Sequence, residues 1–155
     1  NKKKWNGEIM KLTMYGLNIV LSLIIYMISG ESTTGNQELI ESGFSVYPVL
    51  YAFTAVIFAP IVEELIFRGV LYQELRSKNS YKLPIIISSL SFGLIHTLPI
   101  YLSGGNSVEM LFLLIYTAMG FILTMVYEKT GSIYSSITLH LLNNLIATIV
   151  LITNL

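Results

Sequence analysis

The stretch PIVEELIFRGVLYQELR, residues 60–76, decides how the rest of the chain is read. It closes an apolar run that begins near Val46, yet it holds two adjacent glutamates, Glu63 and Glu64, and an arginine, Arg68. A charge at the centre of a bilayer-spanning helix costs roughly 2.5–3.5 kcal/mol even on the mildest scale, so such residues point to function before packing. Helix geometry separates the two acids. Residues four apart share a face, which lets Glu64 pair with Arg68. Glu63 lies about 100° around the helix from Glu64, away from that partner. The expectation is a supporting Glu64–Arg68 ion pair and a Glu63 left available for chemistry. The plainer alternative is that all three form a buried structural network.

The surrounding composition explains why these charges stand out. Of 155 residues, 54% are hydrophobic and 12% charged, against about 25% charged in an ordinary soluble domain. The mean hydropathy is +0.69. The chain therefore reads as all-α: a polytopic transmembrane helix bundle of about five spans, at about 20 apolar residues per span. A formal net charge of zero gives no sign of nucleic-acid binding, and the absence of cysteine excludes disulfides and thiolate metal sites. The chain opens on Asn1 and the basic run NKKKWNGEIMK. The apolar segment after it is too long for a signal peptide and lacks a small-residue cleavage site, so it reads as a span.

In chain order, the spans are expected at residues 12–28, 46–74, 83–98, 108–127 and 132–153. The second is too long for a plain perpendicular crossing, and Pro60 is expected to kink it or to start a new helical piece. The third is expected to stop at Pro99. Residues 30–43 read as a loop carrying Glu31, Glu38 and Glu41, and Gly131 closes a tight turn after Lys129. Lys2, Lys3, Lys4, Lys11, Arg76, Lys78, Lys82 and Lys129 all fall in alternate loops. The positive-inside rule makes that side, with the N-terminus of the chain, cytoplasmic. Trp5 reads as an interface anchor. One domain is expected over 1–155, with an N-terminal span and outer loop at 1–45 and a catalytic core at 46–153.

Three further polar groups lie inside apolar spans. The only two histidines are His96, four residues after Phe92, and His140, four residues before Asn144; Asn143 is also near that face. A lone membrane histidine is more often a hydrogen-bonded packing residue than a ligand. Two on separate spans, with a carboxylate pair on a third, are harder to explain that way, because polar groups in lipid turn inward to partners. Counted from the basic side at 1.5 Å per residue, Glu63 lies about 20 Å deep, His96 about 20 Å and His140 about 12 Å. Two chemistries fit their convergence, and both hydrolyse amides. Glu63 can act as general base on water, with a histidine assisting and His140 and Asn144 donating to an oxyanion. Alternatively, Glu63, His96 and His140 can hold Zn²⁺ with an open position for water. The HExxH zinc motif is absent.

Glu63-Glu64-x-x-x-Arg68, Phe92-x-x-x-His96 and His140-x-x-x-Asn144 together resemble the three-motif signature of the CPBP intramembrane proteases, which include the CAAX prenyl endopeptidases and are also called the Abi family. Each motif is weak alone; three in order on separate spans, over residues 46–153, are specific. The resemblance implies an α-helical membrane endopeptidase acting on a membrane-associated peptide or protein within the lipid bilayer. It implies that Glu63 activates water with support from Glu64 and Arg68, that His96 assists, and that His140 and Asn144 stabilise the oxyanion. The family has been described as both metallo- and glutamate-dependent; the reading favoured here is the glutamate mechanism without a cofactor. Family members usually carry more spans, so this chain is expected to be an N-terminally truncated part of a larger bundle. Lys, Asn and Ile richness favours a multi-pass protein of a bacterial plasma membrane. The rivals are a non-catalytic scaffold or bacteriocin-immunity protein of the same fold, and a transporter. Ser88, Ser89, Ser91, Thr97, Ser135, Ser136 and Thr138 read as interhelical hydrogen-bonding residues, and Gly69, Gly93 and Gly120 as points of close helix approach. The ten tyrosines read as interface and core residues.

Overall fold

A computed structural model describes residues 7–77 and 80–154. Lys2, Lys3, Lys4, Trp5 and Lys78 lie outside the described residues. The described chain is a bundle of six helices: α1 (Gly7–Ser29), α2 (Gly35–Val46), α3 (Pro48–Leu75), α4 (Lys82–Leu102), α5 (Glu109–Thr130) and α6 (Ile133–Asn154). All but α2 are long and apolar enough to cross a membrane. Among the described residues there is no strand, only an isolated bridge between Ser77 and Ser80. The five long helices present many exposed Leu, Ile, Val and Phe side chains outward, as helices solvated by lipid must.

The polar stretch after α1, expected to be a loop, instead folds into α2. Thr34 sits in extended backbone and its hydroxyl accepts from Gln37 N–H, an N-cap that starts the helix. Glu109 of α5 accepts from Gly35 N–H at 2.7 Å and fastens that end. α2 buries none of its own residues, so it lacks the apolar stripe by which a helix is recognised in sequence.

α3 is the long second span, and Pro60 shapes it as expected of a residue that begins a new piece. The residues 54–58 before it are π-helical, an α-helical segment then runs Ala59–Glu64 with Pro60 in its first turn, and a second π stretch covers Leu65–Tyr72. Pro99 does not end α4, which continues to Leu102. A proline in the last turn still accepts, and the Pro99 and Ile100 carbonyls are taken by Ser103 and Gly105 N–H at 3.0 Å each. Gly131 closes α5 with φ +66°, its N–H bonded to Tyr127 O at 2.8 Å.

The core lies where α1, α3, α4, α5 and α6 meet and includes Met14, Phe67, Phe92, Met119, Leu123, Val126 and Leu139. The closest packing is between α4 and α5. A Cβ at Gly120 would lie 3.0 Å from Ser89 O and 3.1 Å from Ser89 Cα, so the two backbones approach there because that side chain is missing. At the basic end, Arg76 grips Glu128 through two bonds of 2.6 and 2.7 Å, and Tyr72 donates to the same carboxylate. These contacts tie the end of α3 to the end of α5.

Candidate active site

The motif residues meet inside the bundle, on α3, α4 and α6. Glu64 and Arg68 are fully buried and joined at 2.8 Å, one helical turn apart. Arg68 also donates to Gly120 O at 2.8 Å and lies over the Phe92 ring at 4.8 Å. A buried charge needs such compensation. The carboxylate of Glu64 has a second partner: His140 Nδ1, at 2.9 Å. Glu64 thus accepts from an arginine on its own helix and from a histidine on α6.

Glu63 points to the other side of the helix, toward the second nitrogen of each histidine. Its Oε2 is 3.6 Å from His140 Nε2 and 3.8 Å from His96 Nε2. Among the described residues its carboxylate makes no hydrogen bond of normal length. The tautomers follow from the other partners. Phe92 O can only accept, so His96, at 2.8 Å from it, carries its proton on Nδ1. Glu64, paired with Arg68, likewise accepts from His140 Nδ1–H. Both imidazoles therefore turn an Nε2 lone pair toward the Glu63 carboxylate. Three acceptors face one another, an arrangement that needs a donor between them.

Asn144 is fixed by the irregularity of α3. Ala59 N–H donates five residues back to Thr54 O. The next donor in that register would be Pro60, which has none. Ala55 O, left over, accepts instead from Asn144 Nδ2 at 2.9 Å. Asn144 Oδ1 accepts from Asn143 at 3.2 Å. One N–H of the Asn144 amide remains, and His96, His140, Asn143 and Asn144 line a cavity of about 140 Å³ that reaches Asn36 and Gln37 of α2.

Glu63, His96 and His140 carry the donor atoms zinc would need. As arranged, no three His, Asp or Glu side chains among the described residues are grouped to hold an ion. Sequence reasoning missed Tyr116 of α5, whose ring stacks on His96 with centroids 4.5 Å apart and planes 17° apart. A tyrosine in an apolar span gives no signal that distinguishes it from a packing residue.

Carboxylate, histidine and amide groups thus meet inside a multi-span helix bundle. The chain belongs to the type II CAAX prenyl endopeptidase Rce1-like family, whose signature matches residues 45–146. It is 27% identical over 133 residues to the "Putative membrane peptidase YdiL" of Bacillus subtilis, covering 86% of this chain and 50% of YdiL. It is 33% identical over 106 residues to the UPF0177 protein YaiH of Lactococcus lactis, covering 68% of this chain and 39% of YaiH. The chain thus spans half or less of the length of these relatives. No solved structure matches it. With five candidate spans, it is an integral membrane protein.

Proposed function

We propose that the protein is an intramembrane endopeptidase that hydrolyses a peptide bond of a membrane-associated peptide or protein, with residues 46–153 as the catalytic core. The observation that carries this reading is the convergence of Glu63 Oε2, His96 Nε2 and His140 Nε2, three acceptors separated by 3.6 and 3.8 Å from the carboxylate. A water molecule can donate its two O–H groups to two of them, one being Glu63, and keeps a lone pair to attack. Glu63 takes a proton from that water as its oxygen adds to the carbonyl carbon. The remaining Asn144 N–H donates to the oxyanion. Glu63 then returns the proton to the leaving nitrogen as the C–N bond breaks, giving an acid and an amine. The Glu64–Arg68 pair holds His140 in the required tautomer. The name borne by YdiL, "Putative membrane peptidase", agrees with this reading.

The neutral tautomer limits one expected role. His140 presents an acceptor at Nε2, so it orients the water and donates to an oxyanion only after gaining a proton. The site lies within apolar spans, which suits a substrate delivered by the bilayer, in a bacterial plasma membrane, rather than by solvent.

The experiment is cleavage of a panel of fluorogenic peptides by the full-length protein in detergent. Glu63→Gln is expected to lower turnover by about 10²–10⁴-fold. Because the Glu63 carboxylate makes no hydrogen bond to lose, that variant is expected to unfold within about 0.5 kcal/mol of the wild type. Turnover that survives Glu63→Gln overturns the mechanism. Loss on chelation with recovery on added zinc would replace it by a metallopeptidase. Activity in cells that is indifferent to Glu63→Gln would favour a non-catalytic scaffold.

A further inference from the structure

We infer that Tyr116 is a positioning residue for His96, and that it links the imidazole to helix α2. This rests on the peptidase reading above for its consequence, though not for its geometry. Two rings flank His96: Phe92 at 4.6 Å with planes 38° apart, and Tyr116 at 4.5 Å with planes 17° apart. Phe92 O fixes Nδ1 at 2.8 Å. That bond alone leaves the ring free to tilt about it, and a tilt swings Nε2 away from Glu63. The near-parallel Tyr116 ring removes this freedom, because offset aromatic pairs hold their relative plane as well as their distance.

The tyrosine is itself held from beyond the transmembrane core. Its hydroxyl lies 3.0 Å from Thr34 Oγ1 and 3.3 Å from Asn36 Nδ2, which donates to it. Thr34 is the cap on which α2 starts, and Asn36 is in its first turn. Glu109, two turns before Tyr116 on α5, holds the same end of α2 through Gly35 N–H at 2.7 Å. The cap of a polar outer helix, a tyrosine and a histidine facing Glu63 therefore form one connected chain. The two hydroxyl partners fix the far end of the Tyr116 ring, and with it the plane the ring offers to His96.

The test uses two readouts on the full-length protein. Histidine labelled with ¹³C and ¹⁵N gives a signal for each imidazole, and the signal lost in His96→Gln is that of His96. The His96 signal is expected to carry an upfield ring-current shift that Tyr116→Leu removes and Tyr116→Phe keeps. For a cleaved peptide, Tyr116→Leu is expected to lower kcat by about 10- to 100-fold with KM nearly unchanged, as a misplaced catalytic group does. Tyr116→Phe is expected to restore most of that turnover. An unmoved His96 signal in Tyr116→Leu, or a kcat within about twofold of wild type, overturns the inference. Should Tyr116→Leu not fold, Tyr116→Met carries the same two readings. Failure of both to fold while Tyr116→Phe folds would assign the ring to packing alone and also overturn it. If the wild type cleaves no peptide, the peptidase reading fails, and the imidazole signals alone decide the position of His96.

Discussion

At the scale of single residues, Arg68 shows what the site costs to build. It is fully buried, and its charge is met by Glu64 at 2.8 Å, Gly120 O at 2.8 Å and the face of Phe92. Arg68→Met removes all three and leaves the Glu64 carboxylate with only His140 Nδ1–H. Breaking one half of a buried pair costs about 3–5 kcal/mol, whereas replacing both halves is often close to neutral. Unfolding in mixed micelles should therefore show a severe loss for Arg68→Met and recovery of more than half of it in Glu64→Gln/Arg68→Met. The double variant still offers His140 an amide oxygen. Equal losses in the single and double variants would mean that packing of the arginine, not charge compensation, sets its value. This pair was legible in the sequence because it needs only helical arithmetic within one segment. The His96–Tyr116 stack was not, since nothing along the chain fixes which residue of α5 stands opposite α4.

At the scale of elements, the same division holds. Close approach at Gly120 follows from a small residue in a membrane helix, and its neighbours there are the Ser89 backbone and Phe92 Cβ of α4. Gly120→Ala is expected to cost about 1–3 kcal/mol and to lower turnover, because it pushes on the helix that carries His96; unchanged unfolding and turnover would refute both. Gly69 differs: a Cβ there would meet the end of the Ile133 side chain at 3.3 Å, so it is not a point where two backbones touch. The coupling of Pro60 to Asn144 was invisible in sequence, because it depends on a π turn that leaves Ala55 O unpaired. It has a sharp signature. Asn144→Ala strands that carbonyl and is expected to cost about 1–3 kcal/mol. Pro60→Ala supplies an N–H in the right register, so in the Asn144→Ala background it should recover stability. A double-mutant cycle is expected to show a coupling of at least about 0.5 kcal/mol. Strict additivity would mean that the carbonyl finds no donor in the variant helix. α2 escaped recognition for a different reason: a capped, polar helix without a buried face has no period to read.

For the whole molecule, the open question is which side of the membrane the site faces. The distribution of charge gives an expectation. Arg76, Lys82 and Lys129 lie at one end of the spans, and Lys2, Lys3, Lys4, Lys11 and Lys78 fall in the same alternate segments of the sequence, while Glu31, Glu38, Glu41 and Glu109 lie at the other end with no Lys or Arg beside them in the sequence. By the positive-inside rule the first end is expected to be cytoplasmic. The cavity lined by His96, His140 and Asn144 reaches α2, through Asn36 and Gln37, and so toward the opposite end. If the proposed peptidase reading holds, its site is expected to be approached from the outer half of the bilayer, under the α2 helix. The chain has no cysteine, so single cysteines at exposed serines report orientation without a background. Ser32→Cys, before α2, and Ser103→Cys, after α4, are expected to react with a membrane-impermeant maleimide on intact cells. Ser77→Cys, between α3 and α4, is expected to react only after lysis. All three serines are exposed. The reverse pattern would place α2 and the cavity mouth in the cytoplasm, and the substrate would then be sought among proteins anchored to the inner leaflet.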